Sequence, residues 1–122
     1  PLQDQELAGT SWTVTRFYVA GQRMISPLDD THLTLHFSTD GKLSGSAGCN
    51  SYFANYETED GSIKITGLGN NLMDCPEPEG LMEQEEQYLK ALQTVAYYHV
   101  EAGILKLRRN ESMDLIRLEK AD

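Results

Sequence analysis

The chain has 122 residues, with 19 acidic and 10 basic side chains and a net charge of −9 at pH 7. This length fits one domain that buries roughly two thirds of its extended-chain surface. The acidic balance excludes nucleic acid as a partner, because phosphate binding needs a basic face. The sequence has no apolar run of about twenty residues that could span a membrane, and no signal-peptide leader. We therefore expect any export leader to have been removed.

The first part of the chain predicts a flexible start followed by strands. Residues 1–6 are polar, and we expect them to be flexible. Residues 13–19 are β-branched and aromatic, which predicts a strand, and Trp12 before them should anchor the core. Residues 21–30 contain glycine, proline and two aspartates, which indicate a loop. Residues 32–38 alternate strictly between polar and apolar, which predicts a strand with one buried face.

Two Asp-Gly pairs, at 40–41 and 60–61, are typical of tight turns between antiparallel strands. The strands predicted around them are 43–47, 52–58 and 63–65. From Leu81 onward apolar residues recur with a period of 3.6, which predicts an amphipathic helix from about Glu79 to Thr94. Further strands are predicted at 97–101, 104–108 and 113–118.

These elements predict a mainly β fold of about eight strands, with one helix between the fifth and the sixth. Successive short hairpins close as a strongly curved antiparallel sheet or a cracked barrel, with the helix covering one end. Residues 7–119 then form a single domain, and residues 120–122 form a C-terminal tail.

The chain is organised around the segment 44–52, which reads Ser-Gly-Ser-Ala-Gly-Cys-Asn-Ser-Tyr. Glycines on both sides of Cys49 predict a strand that bends sharply or is approached closely by other backbone. Asn50 suits such a corner, because its short amide can bond to nearby backbone. Cys49 and Cys75 could form a disulfide, stay as buried thiols, or supply half of a metal site. The metal site is the weakest alternative, since neither cysteine is in a CxxC pair, and a disulfide in an oxidising compartment is favoured.

The order of these motifs resembles the META/HslJ-like family, small domains known from bacterial envelope proteins. The resemblance covers nearly the whole chain, and its most specific part is Gly-Cys-Asn followed by Met-x-Cys. It marks a set of structural motif residues: Gly9, Thr10, Trp12, Gly45, Gly48, Asn50, Tyr52 and Met73. It implies a cracked barrel with one helix, no known catalytic activity, and association with the envelope, stress tolerance or secretion. The chain departs from the usual family pattern at Asn71 and Asp74, and Asp74 predicts an exposed turn beside Cys75.

The sequence predicts no enzyme, although it contains hydroxyl and imidazole side chains. The candidates are Ser44, Ser46, Ser51, His32, His36 and His99. No serine lies in a G-x-S-x-G nucleophile elbow. His32 and His36 stand four residues apart on a strand, about 13 Å, which is too far to share one metal ion. We expect no catalytic residue, no metal and no cofactor.

Two kinds of binding site are compatible with the sequence. An open barrel can enclose one small apolar or lipid ligand, or the same side chains can form a packed core. The residues that would line such a cavity are Leu33, Leu35, Phe37, Leu43, Ile63, Ile65, Leu105 and Leu107. Alternatively, the acidic helix residues Glu83, Glu85 and Glu86 could contact a protein, although a solvated helix face is their simplest interpretation.

We therefore predict a monomeric, non-enzymatic envelope domain with a stress-related or interaction role. Its partner would be an unknown envelope protein or a small apolar ligand, and a hydrolase is the least favoured alternative. The predicted location is the periplasm, or the outer membrane as a lipoprotein whose anchored segment is absent from this chain.

Overall fold

A computed structural model describes residues 7–19, 24–28, 31–71, 73–110 and 112–121. The described elements form a mainly β fold with one helix, as predicted. In chain order the elements are β1 (Ser11–Tyr18), β2 (Met24–Ile25), β3 (Thr34–Phe37), β4 (Lys42–Ser46), β5 (Ser51–Glu59), β6 (Ser62–Asn70), α1 (Leu81–Thr94), β7 (Tyr97–Glu101), β8 (Ile104–Asn110) and β9 (Met113–Lys120). The segment 1–6, predicted to be flexible, lies outside the described residues.

Eight antiparallel strands form a closed ring. The order is β1-β3-β4-β5-β6-β7-β8-β9, and β9 pairs back onto β1 from Trp12↔Lys120 to Phe17↔Ile116. The two-residue strand β2 pairs with the end of β1 outside this ring. The β6–β7 junction is the thinnest, because it has one residue pair, Ser62↔Tyr97. The ring therefore agrees with a strongly curved antiparallel sheet.

Two predicted features of the chain order were wrong. The helix lies after the sixth strand, not between the fifth and the sixth, because β2 lies in a segment that the sequence indicated as a loop. Residues 67–70 belong to β6, although their glycines indicated a flexible connection. A bulge between Phe53 and Asn55 keeps β5 paired as far as Tyr52↔Asn70. At the other end, β9 runs through Lys120, one residue beyond the predicted domain boundary.

The interior of the ring is filled by the alternating apolar side chains of its strands. Leu33, Leu35 and Phe37 are at most 1 % exposed, as the strict alternation predicts. Trp12 is 2 % exposed, and its Nε1 donates to Thr10 Oγ1 at 2.7 Å. Trp12 is therefore the predicted core anchor, and the preceding motif satisfies its one polar atom.

The helix completes the core by inserting an aromatic side chain. It packs against β1, β6 and β9. Tyr88 is fully buried and makes edge-to-face contacts with Phe17 and Tyr52, at centroid distances of 6.1 and 5.6 Å. Within the described residues, no helix is long and apolar enough to cross a membrane.

Gly45 allows β3 and β4 to approach each other beside a buried hydroxyl. A Cβ atom at this position would lie 2.0 Å from the carbonyl oxygen of Thr34 and 2.9 Å from the hydroxyl of Tyr52. The same hydroxyl donates to the Thr34 carbonyl at 2.5 Å. A side chain at position 45 would therefore displace both the strand and this hydrogen bond.

We predict that Gly45→Ala destabilises the fold by about 3 kcal/mol, because the new methyl group forces β3 and β4 apart. The midpoint of thermal unfolding, followed by circular dichroism, should fall by at least about 10 °C. Gly69→Ala is the matched control. Gly69 also lies in a strand without a positive φ, and its Cβ would meet the ring of Phe53, which is exposed and can rotate. Equal losses in the two variants would contradict this explanation.

Candidate functional site

Cys49 and Cys75 form a disulfide, with a Cα–Cα distance of 5.9 Å. The bond joins the turn between β4 and β5 to the segment that leads into α1. We call residues 48–51 and 73–75 together the disulfide corner. Asp74 is exposed, as its polar side chain predicts. Of the alternatives for the two cysteines, the disulfide is therefore the one that the structure supports.

A buried carboxylate from the helix holds the disulfide corner. Glu85 is 3 % exposed, and its Oε1 accepts the backbone N–H groups of Cys49 and Asn50 at 3.2 and 2.7 Å. Its Oε2 accepts the side-chain amide of Asn50 at 2.6 Å. Three donors thus surround one carboxylate, which offsets the cost of removing it from water.

The interpretation of Glu85 as part of a solvated helix face was wrong. Glu83 and Glu86 are exposed, but Glu85 lies on the buried side together with Gln84. Glu85 is four residues after Leu81 and three before Tyr88, so it occupies the apolar stripe of the helix. This spacing is the sequence signal that could have identified it.

Asn50, which is held by Glu85, also hydrogen bonds to the segment that contains the second cysteine. Its side-chain oxygen accepts the backbone N–H of Met73 at 2.8 Å, and its amide nitrogen donates to the Met73 carbonyl at 3.1 Å. Asn50 is 2 % exposed, whereas the Met73 side chain is 54 % exposed. The motif residues Asn50 and Met73 are therefore coupled through backbone, and Met73 is presented to solvent.

Gly48 lets the helix approach the corner. Its φ is +112°, and a Cβ there would lie 2.8 Å from Leu81 Cδ1. Because side chains rarely adopt this backbone conformation, glycine is required on two counts. Leu81, the first residue of α1, packs at the place where the side chain of residue 48 would otherwise be.

Tyr52 and Tyr88 form a hydroxyl pair inside the ring, 2.6 Å apart. Burial raises the pKa of Tyr88 well above its usual range, and burial followed by the neighbouring Tyr88 raises the pKa of Tyr52 in the same way. Both phenols therefore stay neutral at physiological pH. The two hydroxyls satisfy one another, and Tyr52 also donates to the Thr34 carbonyl.

The structure does not assemble the serine and histidine candidates into one site. His36 Nδ1 bonds to the hydroxyl of Ser11 at 2.7 Å on the exposed face of the sheet. His99 lies elsewhere, on β7, and pairs with Glu101 at 3.1 Å. Within the described residues, no group of three or more His, Cys, Asp or Glu side chains could hold a metal ion.

The residues proposed to line a ligand cavity belong to the core. Leu33, Leu35, Phe37, Leu43, Ile63, Leu105 and Leu107 are members of one buried cluster, and Ile65 packs against it. An open groove of about 490 Å³ lies at the edge of this cluster, between α1 and the ends of β1, β8 and β9. Its lining combines Val19, Ala91 and Leu115 of the cluster with charged side chains of both signs, Glu83, Glu86, Lys90 and Arg109. None of the eight predicted residues lines this groove.

The whole chain fits one family. The model of the META domain matches residues 5–122. The chain belongs to the META domain family. The resemblance carried by the Gly-Cys-Asn and Met-x-Cys segments is therefore confirmed. A comparison with curated protein sequences gives no significant match.

Solved structures show the same META-like fold. A protein from Burkholderia xenovorans, solved by NMR, has a TM-score of 0.77 and 27 % identity, covering 99 % of this chain and 88 % of that one. A second NMR structure has a TM-score of 0.64 and 21 % identity, covering 93 % and 91 % of the two chains. A DUF4847 family protein from Bacteroides vulgatus has a TM-score of 0.69 and 15 % identity, covering 98 % and 99 %. The last two similarities concern the fold alone.

We predict that Glu85→Gln lowers the free energy of unfolding by about 3 kcal/mol, measured by urea denaturation. The amide can accept through one oxygen only, so at least one buried donor of the disulfide corner loses its partner. Glu86→Gln, one residue further on the exposed face, is the control and should change stability by less than about 0.5 kcal/mol. Identical unfolding curves for the two variants would refute the role of Glu85.

We also predict that the double variant Cys49→Ser, Cys75→Ser melts at least about 10 °C below the parent. By chain entropy, a bond across 26 residues contributes about 3.5 kcal/mol. The double variant avoids leaving a reactive thiol. Reductant should lower the melting temperature of the parent and leave that of the variant unchanged, and equal melting of the parent with and without reductant would rule out the bond.

Proposed function

We propose that this META domain is a non-enzymatic binding domain of the bacterial cell envelope that acts through its outer surface. The observation that carries the proposal is that two residues with exposed apolar side chains have their backbone held by buried polar residues of one helix turn. Met73 is held through Asn50 by Glu85. Leu28 is held by Gln84, whose Oε1 accepts the Leu28 backbone N–H at 2.6 Å.

Both side chains remain available to a partner. Met73 is 54 % and Leu28 37 % exposed, while Gln84 and Glu85 are at most 5 % exposed. Gln84 and Glu85 are buried and hold two surface segments in place. As polar side chains they add little to the hydrophobic core. Holding these segments does reduce the entropy lost on binding, because the segments are already ordered. A contact with an envelope protein therefore accounts for the arrangement.

The proposed location follows from the disulfide. Such bonds persist in oxidising compartments, of which the bacterial periplasm is one. We propose the periplasm, or the periplasmic side of the outer membrane with a lipid anchor on a preceding segment. Association with a stress response rests on the family resemblance.

The non-enzymatic part of the proposal is supported by the geometry of the Ser11–His36 pair. The two side chains lie on an open sheet face, where water has free access. Among the described residues, no carboxylate bonds to His36 to orient its ring, and a nucleophile normally needs a base that is itself oriented. We therefore assign this pair no catalytic role.

A carrier of a small apolar or lipid ligand is the second candidate. The groove of about 490 Å³ beside α1 favours it, because the volume lies in the range of small-molecule sites. The groove would hold the apolar part of a ligand over Val19 and Leu115 and its charged group near Lys90 or Arg109. The packed core residues support a site in this groove more than one inside the ring.

Native mass spectrometry of the protein purified from its own host, without reductant, separates the two candidates. We expect a bare chain, two mass units lighter than the reduced form because of the disulfide. Additional mass that is released by organic solvent would instead establish the carrier function. The same preparation fixes the oligomeric state, which we expect to be monomeric.

The contact surface is then tested by capture from an envelope extract. Met73→Ser with Leu28→Ser should abolish recovery of the partner, since both changes remove exposed apolar contacts without touching the core. Tyr97→Ser is the control, because Tyr97 is exposed to a similar extent on β7. Loss with Glu83→Gln and Glu86→Gln, but not with the apolar pair, would move the contact to the acidic helix face. A hydrolase screen that detects turnover abolished by His36→Ala would overturn the non-enzymatic proposal.

A further inference from the structure

The outer face of the strands β1, β3, β4 and β5 carries two rows of small hydroxyl side chains around one aromatic ring. The cross-strand register defines the first row as Ser11, His36, Ser44 and Phe53. The row spans three strand spacings, about 14 Å. It ends over Gly69 of β6, which pairs with Phe53.

The second row lies one pleat further along the same strands. Its members are Thr13, Thr34, Ser46 and Ser51. The register between β3 and β4 follows from the backbone N–H of Ser46, which donates to Thr34 Oγ1 at 3.0 Å. Together the rows form one surface, which we call the hydroxyl face.

The hydroxyl face carries no carboxylate or amine in a chain whose net charge is −9. Charged residues border it: Glu119 pairs with Thr13 at the β9 side, and Lys42 lies beside Ser44 along β4. No acidic side chain belongs to either row, and the exposed Glu119 lies directly beside Thr13 at the border. A surface of this kind fits an uncharged ligand.

Phe53 provides an exposed apolar platform within the face. It is 55 % exposed, more than any other large apolar side chain in the described part of the chain. Two of its ring carbons lie 3.0 Å from where a Cβ of Gly69 would be, so the ring leans over the glycine. One side of the ring therefore contacts backbone, and the rest of the ring remains open to solvent.

Several polar groups beside this ring have no protein partner. Among the described residues, nothing hydrogen bonds to the hydroxyls of Ser44 and Ser51 or to Nε2 of His36, whose Nδ1 is held by Ser11. Hydroxyls can both donate and accept. Unpaired donors and acceptors thus flank an aromatic platform on both rows.

From this arrangement we infer that the hydroxyl face binds a neutral polysaccharide chain. A sugar ring presents C–H groups that are attracted to the negative face of an aromatic ring, and its hydroxyls can exchange hydrogen bonds with serine, threonine and histidine. A protein partner fits less well, because serine is depleted at protein interfaces. An acyl chain fits poorly, because it would desolvate the free hydroxyls without replacing their hydrogen bonds.

The inference rests on the proposed function in one respect, namely that the protein binds its ligands through its outer surface. It concerns different side chains from Met73 and Leu28, although Ser51 belongs both to the hydroxyl face and to the disulfide corner. The two can therefore fail separately: sugar binding is measured with the purified chain alone, whereas the protein contact is measured by capture from an extract.

The test is an NMR titration of the ¹⁵N-labelled chain with cellohexaose and, separately, with the hexamer of N-acetylglucosamine. We expect one of the two to shift the amide signals of Ser11, His36, Ser44 and Phe53, with a Kd of about 0.1 to 1 mM for so shallow a face. Phe53→Ala should weaken binding at least about tenfold, and Phe53→Trp should retain it. Tyr97→Ala, which removes an exposed aromatic ring from β7, should leave the Kd unchanged.

Ser44→Glu provides an independent variant that leaves Phe53 over Gly69. Ser44 is exposed in the centre of the first row, so a charged side chain there should prevent the sugar from lying along it. Absence of shifts with both hexasaccharides would overturn the inference. So would binding that survives both Phe53→Ala and Ser44→Glu, and so would capture of an envelope protein through Phe53 in the absence of any sugar binding.

Discussion

The structure depends on one buried carboxylate that joins the helix to the turn between β4 and β5. β6 and β7 share a single residue pair, and the segment between them contains Cys75 and the helix. Glu85 ties that helix to the backbone of Cys49 and Asn50, and the disulfide ties the preceding segment to the same corner. A covalent bond and a charge-assisted hydrogen-bond cluster thus both connect the long segment between β6 and β7 to the turn between β4 and β5.

The glycines near this corner make the connection sterically feasible. Gly48 gives Leu81 room to pack at the start of the helix, and Gly45 gives the Tyr52 hydroxyl room to reach the Thr34 carbonyl. Tyr52 in turn meets Tyr88 from the helix. The backbone motif and the helix face therefore depend on each other, because removing either leaves buried polar groups without partners.

Much of the fold follows from local patterns in the sequence, whereas the polar contacts do not. Strict alternation predicts the inward Leu33, Leu35 and Phe37, and the Asp60-Gly61 pair predicts a turn whose two residues have φ of 49° and 89°. β2 cannot be predicted in this way, because a strand of two residues is too short to show an alternating pattern. Its pairing depends on where β1 ends. Glu85 cannot be predicted in this way either, because a glutamate within an acidic run indicates solvent, and its donors belong to a turn 35 residues earlier.

The sequence pattern also does not predict the proposed binding surface, because that surface is formed by outward-facing side chains. An outward side chain does not contribute to the alternating pattern that predicts the core. The sequence therefore gives no signal that Ser44 and Phe53 lie together on the surface. Only the register places Ser11, His36, Ser44 and Phe53 side by side. The absence of a side chain at Gly69 then lets the Phe53 ring lie across the neighbouring strand. Gly45 lets the strands β3 and β4 approach each other. On the outer face, Gly69 lets the aromatic side chain of Phe53 pack against backbone. The same residue type thus shapes both the packed interior and the surface that remains for binding.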